Sequence, residues 1–319
     1  MTDSLHVGDW VEVKSAEEIL ATLDANGRRD ALPFQPEMLQ YCGKRFRVFK
    51  SAHKGCDTIQ DWRTMRGMND AVYLEGLRCD GAAHGGCQAA CLLMWKNDWL
   101  TKLPGPDAPS REPAPPELEP DCTLESLEKS TQAPPEGGET RYRCQATDHL
   151  LATTPLHWWE LGPYVQDLSS GNVELFAFIG YLLIALYNMI QRRVGRGHPY
   201  LEVVGLAKKT TPSEQLNLRP GELVEVRSAD EIMPTINAER KNRGLTFDVE
   251  MIPYCGKRFR VLRRVEKIIN ERNGAMIQMP NGCIVLEGVT CGGCLSQYRM
   301  FCPRAIYPYW REIWLRRVE

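Results

Sequence analysis

This sequence predicts an α+β protein made of two related small β-barrel modules with short helices, joined by a Pro-rich linker and a helical segment. Three observations carry that expectation. An octapeptide occurs twice, the same strand and capped helix precede each copy, and the stretch between the copies is too rich in proline to continue either pattern. The boundaries that follow are 1–103 for the first cysteine-rich module, 104–140 for the linker, 141–218 for the helical connection and 219–319 for the second module.

The octapeptide Tyr41-Cys42-Gly43-Lys44-Arg45-Phe46-Arg47-Val48 returns letter for letter as Tyr254-Cys255-Gly256-Lys257-Arg258-Phe259-Arg260-Val261. Before the first copy, Val7-Gly8-Asp9-Trp10-Val11-Glu12-Val13-Lys14 alternates apolar and polar residues after a glycine turn, the pattern of a half-buried strand. Ser15-Ala16-Glu17-Glu18 is a capping box, which sets a helix start there, and Ile19, Leu20 and Leu23 give that helix one apolar face before Asn26-Gly27 ends it. Pro36 opens a second helical turn. Strands are expected at Arg45–Phe49, where polar and apolar residues alternate again, and at Ala71–Leu77. Before the second copy, Gly221–Arg227 repeats the strand and Ser228-Ala229-Asp230-Glu231 repeats the capping box. Trp95 and Trp99 match Trp310 and Trp314, each pair four residues apart. A Gly-Asp-x-Val-x-Val opening followed by short strands resembles the SH3-like small barrels.

Residues 104–140 hold nine prolines and nine Asp/Glu against two Lys/Arg, the composition of an extended linker. Beyond it, Leu175–Ile190 is a run of about 16 residues, apolar but for Asn188, followed by Arg192, Arg193 and Arg196. A span needs about 20 residues, so the first expectation is a buried helix packing between the halves or in a homodimer. The other readings are a helix contacting a membrane surface through 175–190 and a true span.

A net charge of -2 and a pI near 6.4 argue against a protein that coats nucleic acid. Residues 219–319 carry 17 Lys/Arg against 12 Asp/Glu, a surplus that reads as a solvated surface. Arg45, Arg47, Arg258 and Arg260 share one face of their strands, read first as a solvated face and alternatively as a polyanion or nucleic-acid surface. Met1–His6 lacks the basic and apolar regions of a secretory signal, which predicts a cytoplasmic protein. Twelve cysteines are then expected as thiols or metal ligands, without a disulfide framework.

By spacing, Cys42 matches Cys255, Cys79 matches Cys291 and Cys87 matches Cys302. Three thiolates with one more soft ligand make a closed tetrahedral zinc site, and four thiolates also suit an iron–sulfur cluster. The expected first-half set is Cys56, Cys79, Cys87 and Cys91, with Cys42 or His84 as substitutes. Cys255, Cys283, Cys291 and Cys302 form the second. Glycines in the loop Cys79–Cys91 let its backbone wrap so that short side chains can converge. Cys122 and Cys144 flank the more disordered part of the linker, with His149 close behind, as anchors of its ends or as groups without a site. No Walker or dinucleotide phosphate loop is present, and no carboxylate stands at triad spacing from His84.

The repeated octapeptide, the His84-Gly85-Gly86-Cys87 loop, and Phe301-Cys302-Pro303-Arg304 with Tyr309-Trp310-Arg311-Glu312 together resemble a family of bacterial duplicated cysteine-rich proteins. That resemblance covers both halves and the segment between them and supplies no catalytic residue. The expected function is therefore a thiolate-ligated metal protein, with zinc as cofactor, serving as a non-catalytic binding or assembly partner of another protein. The alternative is an iron–sulfur redox protein or an accessory component of a biosynthetic metalloenzyme.

Overall fold

The computed structural model describes residues 4–61, 63–109, 121–194, 199–208, 210–296 and 301–318. Two compact units divide the chain. The first contains Met1–Leu175 with Lys267–Ile277 and Phe301–Arg304, and the second contains Phe176–Glu266, Gln278–Met300 and Ala305–Glu319.

In the first unit five strands form a sheet that curls into half a barrel, in the order Leu92–Lys96, Ala71–Arg78, Arg45–Ser51, Trp10–Val13, Leu100–Leu103. The pairings assigned within it are antiparallel, with Val11 opposite Phe46 on one side and Lys102 on the other. Alternation buries Val11 and Val13 completely, which is why an apolar–polar strand fits a one-sided core. Ser15 starts the helix Ala16–Leu20 as the capping box predicts: its hydroxyl accepts from the Glu18 amide while Glu18 returns to the Ser15 amide. Phe34 packs edge-on against Trp95 and Trp99 at 6.2 and 5.2 Å, and Trp99 Nε1 donates to Thr22 Oγ1 at 3.0 Å.

The second unit repeats this grammar. Its four strands run in the order Met276–Leu286, Arg258–Ile269, Leu223–Val226, Leu315–Arg317. Ser228 and Glu231 form the capping box. Phe247 lies edge-on to Trp310 and Trp314 at 6.2 and 5.3 Å, and Trp314 Nε1 donates to Thr235 Oγ1 at 2.9 Å. Around these rings sit Val224, Val226, Ile232, Val261, Ile284 and Leu286, all fully buried.

Part of the expected linker lies at 110–120, outside the described residues. The rest is more ordered than its composition implies. Leu124–Ser130 is a helix capped by Thr123, and Gln132–Glu136 pairs with Glu139–Tyr142 as a hairpin. Fully buried Leu127 and Cys122 tie the helix down, Leu127 lying over Gly27. The helix outruns the apolar stretch, covering Leu175–Val194 and so taking in Gln191, Arg192 and Arg193, and against the expectation of a buried helix it has no buried residue.

A candidate metal centre in the first unit

A 3-10 helix at Pro36–Tyr41 and the glycine-rich loop after Ala71–Arg78 build the site. Pro36 fixes the first turn and places Glu37 under the core, its side chain 2% exposed. Across from it, Cys79 N–H donates to Cys91 O at 2.9 Å, closing the loop at its neck. Gly81 takes φ +77 and opens the short turn Ala82–His84, whose last residue is 1% exposed. A side chain at Gly81 would fall onto the Cys87 carbonyl, so the turn needs glycine for space as well as for conformation. Lys267–Ile269 holds the outer side of the loop: Gln88 N–H donates to Lys267 O at 3.1 Å, and Ile269 N–H to Cys87 Sγ at 3.4 Å.

These turns bring three different donor atoms together. An oxygen of Glu37, Sγ of Cys79 and a ring nitrogen of His84 all lie within 4.8 Å of one another. Cys79 Sγ donates to Glu37 Oε1 at 2.9 Å. His84 Nδ1 stands 3.1 Å from the same oxygen, at ion-pair distance but out of hydrogen-bond alignment. Glu37 Oε2 and His84 Nε2 also have no hydrogen-bond partner although they are buried. Burying such groups unsatisfied costs about 1–3 kcal/mol each, so orphaned atoms of this kind call for a missing partner.

Electrostatics in the site follow from burial. Desolvation raises the Glu37 carboxyl, but the adjoining His84 and the Cys79 thiol outweigh it and hold the group below the usual glutamate range. Burial first, and Glu37 beside it second, push the Cys79 thiol well above its ordinary value. Burial likewise lifts Cys91 and Cys144 to about 12. A bound cation reverses this, because a coordinated thiol is deprotonated outright. Behind the three donors is an orienting layer. Gln35 Nε2 donates to Glu37 Oε1 at 2.7 Å, and Gln145 N–H donates to Gln35 Oε1 at 3.0 Å. Gln145 in turn donates from Nε2 to the carbonyls of Pro33 and Met94.

Cys79 and His84 also line a cavity of about 30 Å³ whose wall includes Cys87, Cys91, Cys144 and Glu271. Of the residues expected from sequence, then, Cys79 and His84 meet at the three-donor cluster, and Cys87 and Cys91 join them only around the cavity. Cys144, expected as an anchor, completes that wall.

The other expected ligands are placed elsewhere. Cys56 N–H donates to Cys302 Sγ at 3.3 Å, in the first unit but outside the cluster. Cys42 ends the 3-10 helix Pro36–Tyr41. Cys255 ends the matching turn Val249–Tyr254, and Cys283 is buried with Arg311 Nη1 at 3.5 Å from its sulfur. Cys291 donates its amide to Ile306 O at 2.8 Å. Glu37 is the candidate donor that spacing arguments about cysteine miss.

Glu37 has a counterpart, since Glu250 stands five residues before Cys255 as Glu37 stands five before Cys42. Five residues after Cys291, however, comes Ser296 where the first copy has His84 after Cys79. There Glu250 Oε1 accepts from the backbone amides of Leu295 and Ser296, both at 2.7 Å, so that carboxylate is already satisfied. The second unit also has a polar cleft of about 510 Å³ lined by Arg243, Arg264, Arg311 and Glu312, in which Arg264 pairs with Glu312. The strand arginines are paired as well: Arg45 with Glu12 at 3.1 Å, Arg258 with Glu225 at 3.5 Å.

Comparison with family models, with curated proteins and with solved structures finds no match to this chain.

Proposed function

We propose that the protein binds one zinc ion through Glu37, Cys79 and His84, and that it serves as a non-catalytic binding or assembly component whose first unit depends on that ion. The convergence of a half-buried thiol with a buried carboxylate and imidazole that carry orphaned atoms supports this reading. A mixed oxygen, sulfur and nitrogen donor set suits zinc, which takes all three and is borderline-soft. The fourth position adjoins the thiol-lined cavity, where Cys87, Cys91 or Cys144 is the available donor. Substrate turnover at this cluster is disfavoured by size: its cavity of about 30 Å³ admits a water-sized ligand, whereas small-molecule sites run to about 300–1,000 Å³. The two halves are read as copies of one SH3-like module, of which the second, with Ser296 for His84, has given up the ion.

An iron–sulfur cluster is the second reading, favoured by the four cysteines Cys79, Cys87, Cys91 and Cys144 around one cavity. Metal quantification with a visible spectrum, on protein purified without air or added metal, separates the two. A colourless protein with about one zinc per chain, lost on Cys79→Ser and His84→Ala and kept on Cys283→Ser, is the expected result. A brown protein whose absorption bleaches on reduction would replace zinc by the cluster. Less than about half an equivalent of any metal would overturn both.

A further inference from the structure

The helix Leu175–Val194 turns an apolar face outward. Leu175, Phe176, Ile179, Leu183, Leu186 and Ile190 are exposed, Phe176 by 87%. Phe178, Tyr181, Ala185 and Asn188 recur at helical spacing as half-buried positions, so the opposite face is partly covered by protein. Asn188, the polar residue inside the run, is satisfied there: it accepts from Tyr200 N–H at 2.6 Å and donates to Tyr200 O at 3.4 Å.

Charge decides what covers the outer face. From Leu175 to Gln191 the helix has no Asp, Glu, Lys or Arg, while Glu174 and the pair Arg192–Arg193 bracket it. Helices that pair with a second copy in water keep charges on the positions flanking the seam. A long helix without them suits lipid. Connectivity decides the mode. The first unit is built from Met1–Leu175 together with Lys267–Ile277 and Phe301–Arg304, so residues before and after the helix belong to one folded body. A helix that crossed a bilayer would put them on opposite sides.

We infer that Leu175–Val194 is a monotopic anchor whose exposed face enters the headgroup–acyl boundary of one phospholipid leaflet. Where an in-plane helix ordinarily shows a polar face to water, this one has a face partly covered by protein. Arg193, exposed at the end of the helix, meets the lipid phosphates.

Flotation of the full chain with vesicles of phosphatidylcholine, alone or with a minority of phosphatidylglycerol, tests the inference. Wild type floats with both, more strongly with the anionic lipid. Phe176→Glu and Leu183→Glu, at exposed positions where folding is not at stake, lower the bound fraction at least ~10-fold, with circular dichroism and metal content unchanged. Vesicle binding unaffected by both substitutions would overturn the inference. So would a protein that ignores both vesicles and sediments as a dimer that Leu183→Glu dissociates, which would make the face an interface between copies.

Discussion

Metal removal from wild type and from His84→Ser gives the sharpest test of the site. Serine is chosen because the second unit carries it at the matching place, with its glutamate satisfied by backbone amides instead. If the first unit binds zinc only when folded, free metal at a hundred times the dissociation constant stabilises it by about 2.7 kcal/mol. The first unit falls in the class of about 150–250 residues, for which each kcal/mol moves the melting temperature by about 2–4 °C. Zinc should therefore raise the first unit's transition by about 5–10 °C in scanning calorimetry, reversed by a chelator, and leave the second unit's transition in place. In His84→Ser the shift should vanish. An equal shift in wild type and variant would refute the assignment of His84, and no shift in wild type would refute the site.

Lys54 and Asp167 form a buried ion pair, their side chains 3% and 0% exposed, so Lys54→Met should cost about 3–5 kcal/mol in urea unfolding. A loss under about 1 kcal/mol would contradict the pair's burial. Gly81→Ala drives a methyl group onto the Cys87 carbonyl and should lower metal content while leaving the second unit's melting unchanged. His149 is held down to about 2 from its ordinary 6.5, first by burial and then by Arg304 and Arg66. Its unfolded form takes a proton below pH 6.5 and its folded form does not, so stability must fall as pH drops from 6.5 towards 2. The slope is at most about 1.4 kcal/mol per pH unit. His149→Gln should flatten unfolding free energy across that window.

Local chemistry was legible where a few neighbouring residues decide the structure. Ser15 with Glu18, and Ser228 with Glu231, mark helix starts because a capping box is complete within four residues. The strands Trp10–Val13 and Leu223–Val226 were legible from alternation alone. The helix Leu124–Ser130 was not, because its proline-rich and acidic surroundings hide its anchors Cys122 and Leu127, and the Gly27 that Leu127 lies over is distant in sequence. The site divides along the same line. Cys79 and His84 stood out as soft ligands in a glycine-rich loop. Glu37 did not, because nothing local separates a buried carboxylate from a solvated one. A signal was available in comparing the copies, since Glu37 and Glu250 hold the same place among apolar neighbours. Spacing paired Cys87 with Cys302, yet Cys87 lines the thiol cavity and Cys302 meets Cys56. Counting residues back from a tryptophan cannot register which strand ends a loop will lean on.

The bond between Cys56 N–H and Cys302 Sγ joins residues 246 positions apart, and Arg304 reaches back from nearby to donate to Cys56 O at 2.8 Å. For a chain emerging from the ribosome, the unit that carries the Glu37, Cys79 and His84 cluster cannot close when its own strands have appeared. It waits for Lys267–Ile277 and Phe301–Arg304, long after Glu37, Cys79 and His84 are in solution. During that interval its thiols are accessible to metal and to oxidant alike. If the cluster takes an ion, the order of synthesis sets when that site can be sealed.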